Sequence, residues 1–287
     1  MNVSIYNETR NILKKYNISA NKRLGQNFLI DEQVVEGIVD EANIGKEDLI
    51  IEIGPGLGTL TKYLLDNAGK VICIELDDRM IEILEDRFKL YNNFKLINDD
   101  VLKVDLKKLI KDEKTGEIKK AKVVANLPYY ITTPIVMKLL EDRLDIESIT
   151  VMVQKEVADR LVDKPGGKNS GAITYAINYY TNPRKVLDVP NTSFIPAPEV
   201  NSSVINLKVL ERPSVDVKNE ELLFKIIKLA FMQKRKTLLN ALSNGNLANK
   251  GEIEKMLNDL DFDLRIRGEQ LSLEDFAKIA DYTQKKS

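Results

Sequence analysis

Glycines and carboxylates carry the first chemical signal in this chain. The run Ile51-Glu52-Ile53-Gly54-Pro55-Gly56-Leu57-Gly58 closes an apolar stretch with three alternating glycines. Glycines at a strand-to-helix turn let backbone approach a ligand closely. About 20 residues on, a second apolar run ends in Glu75, where an acidic side chain can bind two ribose hydroxyls. A third run ends in Asp99-Asp100, where a carboxylate can accept from an adenine amine. Glu75 or Asp100 alone reads equally well as a helix cap or a solvated turn residue. Glycines, Glu75 and Asp100 on three successive strand ends predict a nucleoside-bearing cofactor, because open parallel sheets bind ligands there. The spacing G-x-G-x-G is not the dinucleotide fingerprint G-x-G-x-x-G/A, whose last place is Thr59 here. The glycines by themselves therefore leave the ligand open.

Several chemistries are excluded outright. The chain of 287 residues has no histidine and one cysteine. That removes Ser-His-Asp, Cys-His and His-metal sites, and no metal is expected. Cys73 lies in the apolar run KVICIEL and reads as a small core residue, with no disulfide to form. Hydrophobic residues make up 43% and charged residues 30%, which fits a globular protein rather than a disordered one. No apolar run approaches the roughly 20 residues of a membrane span, and Met1 to Asn17 has no secretory pattern. A cytoplasmic setting is expected.

The net charge of −1 gives no hint of nucleic acid, but the charge is unevenly placed. Between Leu222 and Lys250 there are Lys225, Lys228, Lys234, Arg235, Lys236 and Lys250, and no Asp or Glu. The N-terminal arm carries Arg10, Lys14, Lys15, Lys22 and Arg23 against Glu8 alone. Such clusters are either solvated helix faces or a surface for phosphates.

The elements that must hold these residues are legible. Asp31–Ala42 predicts a helix, with Asp31 as N-cap and Val34, Val35, Ile38 and Val39 as its apolar stripe. Strands are predicted over Asp48–Ile53, Val71–Leu76, Phe94–Ile97, Lys122–Ala125 and Ser148–Val153. Helices over Thr59–Ala68, Asp77–Leu90 and Thr133–Leu140 separate them. That alternation predicts an α/β, Rossmann-like, doubly wound parallel sheet. Thr174–Tyr180 and Ser202–Val209 read as late strands around a proline-marked loop. From Asn219 onward only helical patterns remain. Two domains follow: residues 1–210 hold the cofactor, and 211–287 form a small all-helical domain.

The fourth strand ends in Asn126-Leu127-Pro128-Tyr129. This motif resembles the catalytic signature of amino-methylating adenine methyltransferases, which implies S-adenosylmethionine as cofactor. Adenine's amine is a poor nucleophile because its lone pair is delocalised into the ring. The resemblance implies that the Asn126 oxygen and a backbone carbonyl near Leu127 or Pro128 accept its two N–H groups. Catalysis is then positioning and electrostatics, and needs no histidine base. Tyr129 would stack on a base withdrawn from its helix, and Phe194, in SFIPAPEVNSSV, would cover the other face.

The resemblance extends over nearly the whole chain. NKRLGQNFLID (Asn21–Asp31), KPGGKNSG (Lys164–Gly171), FMQKRKTLLNAL (Phe231–Leu242) and RGEQLSLEDFAKIA (Arg267–Ala280) are similar to signatures of the small-subunit rRNA adenine dimethylases. The family transfers two methyls to each of two adjacent adenines near the 3′ end of 16S rRNA in the maturing 30S particle. The resemblance implies cofactor contacts from Gln26, Asn27, Leu29, Gly54, Gly56, Gly58, Glu75, Leu76, Asp100, Val101 and Asn126. It implies RNA contacts from Lys22, Arg23, Lys234, Arg235 and Lys236, and a monomer acting on the small ribosomal subunit. Pro-Ala-Pro at 196–198 departs modestly from the family's proline run. Three other readings compete with this one. The related large-subunit methylases of antibiotic resistance share the core, but the Lys22–Leu29 arm, Leu127 and the Arg267–Leu271 tail favour the small-subunit family. An assembly factor with incidental catalysis is disfavoured by the intact Asn126–Tyr129 motif, and a nicotinamide oxidoreductase by the glycine spacing and the absence of histidine.

Overall fold

A computed structural model describes residues 4–21, 25–233 and 235–285. In chain order the elements are α1 (Ile5–Lys15), β1 (Phe28–Leu29), α2 (Glu32–Ala42), β2 (Asp48–Ile53), α3 (Thr59–Asn67), β3 (Lys70–Glu75) and α4 (Asp78–Phe88). There follow β4 (Phe94–Asn98), α5 (Leu106–Glu113), β5 (Lys120–Asn126), α6 (Thr132–Glu141), β6 (Ser148–Gln154), α7 (Lys155–Leu161) and α8 (Ala172–Tyr180). The chain ends with β7 (Thr181–Val189), β8 (Phe194–Ile195), β9 (Ser202–Val209), α9 (Glu220–Met232), α10 (Leu238–Asn244), α11 (Lys250–Asp259) and α12 (Leu273–Gln284).

Seven strands form one sheet in the order β4-β3-β2-β5-β6-β9-β7. The first five are parallel, and β9 runs antiparallel to β6. The parallel part is the doubly wound sheet read from the sequence, with the order reversing at β2. Every residue of β2 is buried, as a central strand covered on both faces must be. β1 and β8 make a separate two-stranded ladder that pairs Leu29 with Phe194.

Helix α2 buries its expected stripe, Val34, Val35, Ile38 and Val39. Asp31 stands at the N-cap position but does not cap. Its carboxylate accepts from the Ser193 hydroxyl at 2.8 Å, so a tertiary partner displaces the local one. Helices α1 and α5 and strand β7 are not among the elements read from the sequence, although Leu106, Leu109 and Ile110 of α5 already have helical apolar spacing. Residues Thr174–Tyr180, which read there as a strand, are helical. Their aromatic and β-branched content favours extended backbone locally, but the segment is buried on almost every side, which erases the amphipathic pattern of a helix.

The chain divides into two compact units, Met1–Ala158 with Arg184–Val209, and Asp159–Pro183 with Leu210–Ser287. The second unit therefore includes a stretch that the sequence places in the first domain. Tyr175 shows why: its ring packs on Phe231 and Phe276, and its hydroxyl donates to the Leu271 carbonyl at 2.6 Å. That hydroxyl also accepts from Gly166 N–H, which holds the Lys164–Gly171 loop in this unit. Among the described residues no helix is long and apolar enough to cross a membrane.

Candidate active site

The carboxyl ends of β2, β3, β4 and β5 surround a cleft of about 1080 Å³, open to solvent. Each strand delivers its residues for a local reason. After β2 the chain must turn sharply into α3, and Gly54, Gly56 and Gly58 all take positive φ. At Gly56 this turns the backbone N–H onto Glu75, 3.1 Å away. Gly58 has another reason to be glycine: a Cβ there would fall 2.5 Å from the Phe88 ring. Gly54 and Gly56 line the cleft, whereas Gly58 packs α3 onto α4 and is absent from the lining.

Glu75 closes β3 and is buried. Its Oε1 accepts from the N–H groups of Leu76 and Asp77, and its Oε2 from Gly56. Three of the roughly four lone-pair positions of a carboxylate are thus in use, leaving one on Oε2. Burial raises the Glu75 pKa above the usual carboxylate value, more than those N–H groups lower it. Leu76 is exposed at the cleft beside it. Asp99, Asp100 and Val101 reach the lining from the end of β4. Asp100 Oδ1 accepts from Leu102 N–H.

β5 ends in the Asn126–Tyr129 motif, and all four residues line the cleft. The Asn126 side-chain amide has no hydrogen-bond partner among the described residues. The Pro128 carbonyl is already used, by Ile131 N–H at 3.3 Å and the Thr132 hydroxyl at 3.1 Å. The Leu127 carbonyl accepts no such bond among the described residues, although its N–H is tied to Met152. Asn126 and Leu127 therefore present two open acceptors side by side. Tyr129 is half-buried, its hydroxyl 2.6 Å from Ser202 Oγ, and burial raises its pKa.

The N-terminal arm reaches the lining at Gly25, Gln26, Asn27, Phe28 and Leu29. Gln26 is its latch. Its Nε2 donates to Asp77 at 2.7 Å, and its Oε1 accepts from Asn21 N–H at 2.9 Å. Asp77 in turn is held by Arg79, chiefly, and its pKa lies below the usual value for that reason. Asn27 turns back to the Gly25 carbonyl. Phe194 pairs with Leu29 but is 3% exposed within the core and does not line the cleft.

Of the basic residues named from the sequence, Lys22, Arg23 and Lys234 lie outside the described residues. Arg235 and Lys236 are exposed between α9 and α10, as are Lys225 and Lys228 on α9. None of these four has an ion-pair partner among the described residues.

Sequence reasoning gives no role to Glu52, Gly25, Tyr130 or the Asp77–Arg79 pair. Gly25 takes φ +61° beside Tyr130. Glu52 is 1% exposed and lines the cleft. It accepts from the Thr61 hydroxyl at 2.6 Å and from the Cys73 thiol at 3.3 Å. Burial drives its pKa up to about 7, against the Thr61 and Cys73 hydrogen bonds. An acidic residue following the apolar run Leu49-Ile50-Ile51 within a buried strand is the signal that could have found it.

The sequence matches the family model described as ribosomal RNA adenine dimethylase over residues 17–285. A ribosomal RNA small subunit methyltransferase A from Alkaliphilus oremlandii is 46% identical over 285 residues, 99% of each chain. One from Geobacillus sp. is 49% identical over 280 residues, 96% of each chain. The crystal structure of a dimethyladenosine transferase from Plasmodium falciparum matches with a TM-score of 0.75 at 28% identity, covering 90% of this chain and 98% of that one. The 23S rRNA methyltransferase ErmE shares the fold, with a TM-score of 0.67 at 22% identity, covering 90% of this chain and 100% of that one. The fold agrees with a match that spans residues 17–285, and the chain belongs to the ribosomal RNA adenine dimethylase family.

Proposed function

We propose that this protein, in the cytoplasm, transfers methyl groups from S-adenosylmethionine to the N6 amines of two adjacent adenines near the 3′ end of 16S rRNA in the maturing small subunit. The observation that carries the reading is the pair of open acceptors at the end of β5, the Asn126 amide oxygen and the Leu127 carbonyl. An exocyclic amine offers two N–H donors, and two fixed acceptors aim its lone pair away from both. With the Pro128 carbonyl engaged in its own turn, Leu127 supplies the second acceptor.

The cleft suits the cofactor by charge. Glu52, Glu75, Asp99 and Asp100 line it, and among the described residues no Lys or Arg does. Such a lining opposes an anionic pyrophosphate and favours a cation. When bound, S-adenosylmethionine supplies an electrophilic methyl on a cationic sulfonium. Glu75 has one lone pair left for a ribose hydroxyl, and Asp100 stands where an adenine amine can be read. Gln26 holds the arm over the cleft. Tyr129 offers a face for the target base, whose removal from its stack exposes the amine. Arg235 and Lys236 of the second unit bind RNA phosphate.

The test is to incubate the protein with labelled S-adenosylmethionine and undermethylated small subunits, with large subunits as control, and to identify the labelled nucleoside. Dimethyladenosine from small subunits alone is expected. Label confined to large subunits would move the substrate to the other ribosomal RNA and leave the chemistry standing.

A further inference from the structure

Glu52 is a buried carboxyl of the cleft that the transfer reaction leaves without a task. From α3 it faces the Thr61 hydroxyl, and from β3 it faces the Cys73 thiol and the Glu75 carboxyl. The parallel ladder enforces this grouping, because Glu52 and Cys73 are register partners in β2 and β3. Burial keeps the Cys73 thiol protonated, its pKa well above the ordinary value, so it serves Glu52 as a neutral donor. Asp99 and Asp100 add negative charge farther along the lining, and no Lys or Arg joins it among the described residues. A buried carboxylate without a cation is costly, and the usual relief is to bind a proton. A cationic ligand in the same cleft supplies the other relief.

This bears on a difference between the two ligands that the proposed reaction alternates. The cofactor carries a sulfonium, and its demethylated product is a neutral thioether with the same adenosine and amino-acid parts. We propose that the buried Glu52 carboxyl distinguishes cofactor from product by charge, giving up its proton when the cationic cofactor binds and keeping it when the product is bound. The proton goes to solvent on cofactor binding and returns from solvent once the sulfonium charge is lost. The inference rests on the cofactor reading. Glu52 is a specificity-determining residue here, and the open acceptors of Asn126 and Leu127 remain the groups that hold the amine.

The sign follows from the protonation state. Near pH 6 Glu52 is mostly protonated in the free protein and near pH 8 mostly ionised, given its pKa of about 7. Cofactor affinity then rises with pH, by up to about tenfold between pH 6 and 8 if the bound carboxyl stays ionised. Product affinity gains nothing from that ionisation, so selectivity for cofactor over product rises across the same window.

Isothermal titration of the full chain with S-adenosylmethionine and with S-adenosylhomocysteine tests this. Titrations at pH 6, 7 and 8, in buffers of different ionisation enthalpy, count the protons exchanged. Proton release near pH 7 is expected for the first ligand and is absent or reversed for the second. In Glu52→Gln most of the release is lost, and selectivity becomes flat with pH. Equal proton exchange and equal pH dependence for the two ligands in the wild-type protein would overturn the proposal and leave the cofactor reading intact. Full release retained in Glu52→Gln would overturn it too, by assigning the proton to Glu75. If neither ligand binds, the cofactor reading and the inference fall together.

Discussion

Asp48 and Glu52 point to the same side of β2, both buried and both acidic, yet their surroundings are opposite in kind. Asp48 Oδ2 holds Lys122 Nζ at 2.9 Å and accepts from Gly45 N–H at 2.7 Å. Lys122 also donates to the Asn43 carbonyl, so its charge is satisfied inside the fold. Glu52 meets a hydroxyl and a thiol, with a second carboxyl nearby. One end of the strand is electrically closed and ties β2 to β5. The other end is left open toward a cleft. On β2 the Asp48 charge is paired with Lys122, whereas among the described residues no Lys or Arg lines the cleft beside Glu52.

The sharpest way to break this comparison is at the closed end. Lys122→Met leaves Asp48 buried without its cation and is expected to cost about 3–5 kcal/mol of stability. Adding Asp48→Leu should recover most of that in denaturant titrations. A single variant as stable as the wild type would show that Asp48 is not the partnered charge it resembles. At the open end, Asn126→Ala should lower turnover by about 10²–10³-fold, as loss of an aligned hydrogen-bonding group does elsewhere. Its unfolding midpoint should stay close to wild type, and its cofactor affinity should fall far less than its turnover. A matching loss of cofactor affinity would move Asn126 from the amine to the cofactor.

Glu52→Gln sharpens the comparison from the stability side. The folded pKa of Glu52 is raised from the ordinary 4.5 to about 7. Below about pH 4.5 the carboxyl is neutral in both states, and ionisation carries no penalty. As pH rises from there through 7, the unfolded chain ionises first and the folded state loses stability. The variant should therefore be more stable than wild type by about 1–3 kcal/mol at pH 8 and show little gain at pH 4.5. An equal gain at both pH values would assign the effect to packing. The smallest effect is expected on the second unit. Arg235→Ala with Lys236→Ala should flatten the salt dependence of RNA binding, by about 0.7 in the log–log slope for each phosphate that these side chains neutralise on single-stranded RNA. An unchanged slope would remove these two residues from the RNA surface.

The strand ends are legible from the sequence because they combine a short apolar run with glycines or carboxylates. β2, β3, β4, β5 and β6 lie within a residue or two of the predicted spans. Short-range patterns fail where a neighbour distant in sequence decides. Asp31 reads as a cap until Ser193 arrives, and Gly58 reads as a ligand glycine until Phe88 is packed against it. The segment at 174–180 reads as a strand because burial on almost every side leaves its helix without an amphipathic pattern.

The amino-acid sequence by itself determined the alternation that winds the sheet, the motif at 126–129 and the exclusion of histidine chemistry. Those depend on residue type and local spacing, which backbone sterics and hydrophobic burial convert directly into strands, helices and turns. Tertiary structure alone decided which carbonyl beside Asn126 stays open, that Phe194 sits in the core, and that Asp48 is neutralised while Glu52 is not. The place of Phe194 turns on apolar packing, and the other two turn on what stands within about 3 Å of a buried polar atom. That distance is set by strand register and packing between residues far apart in the chain.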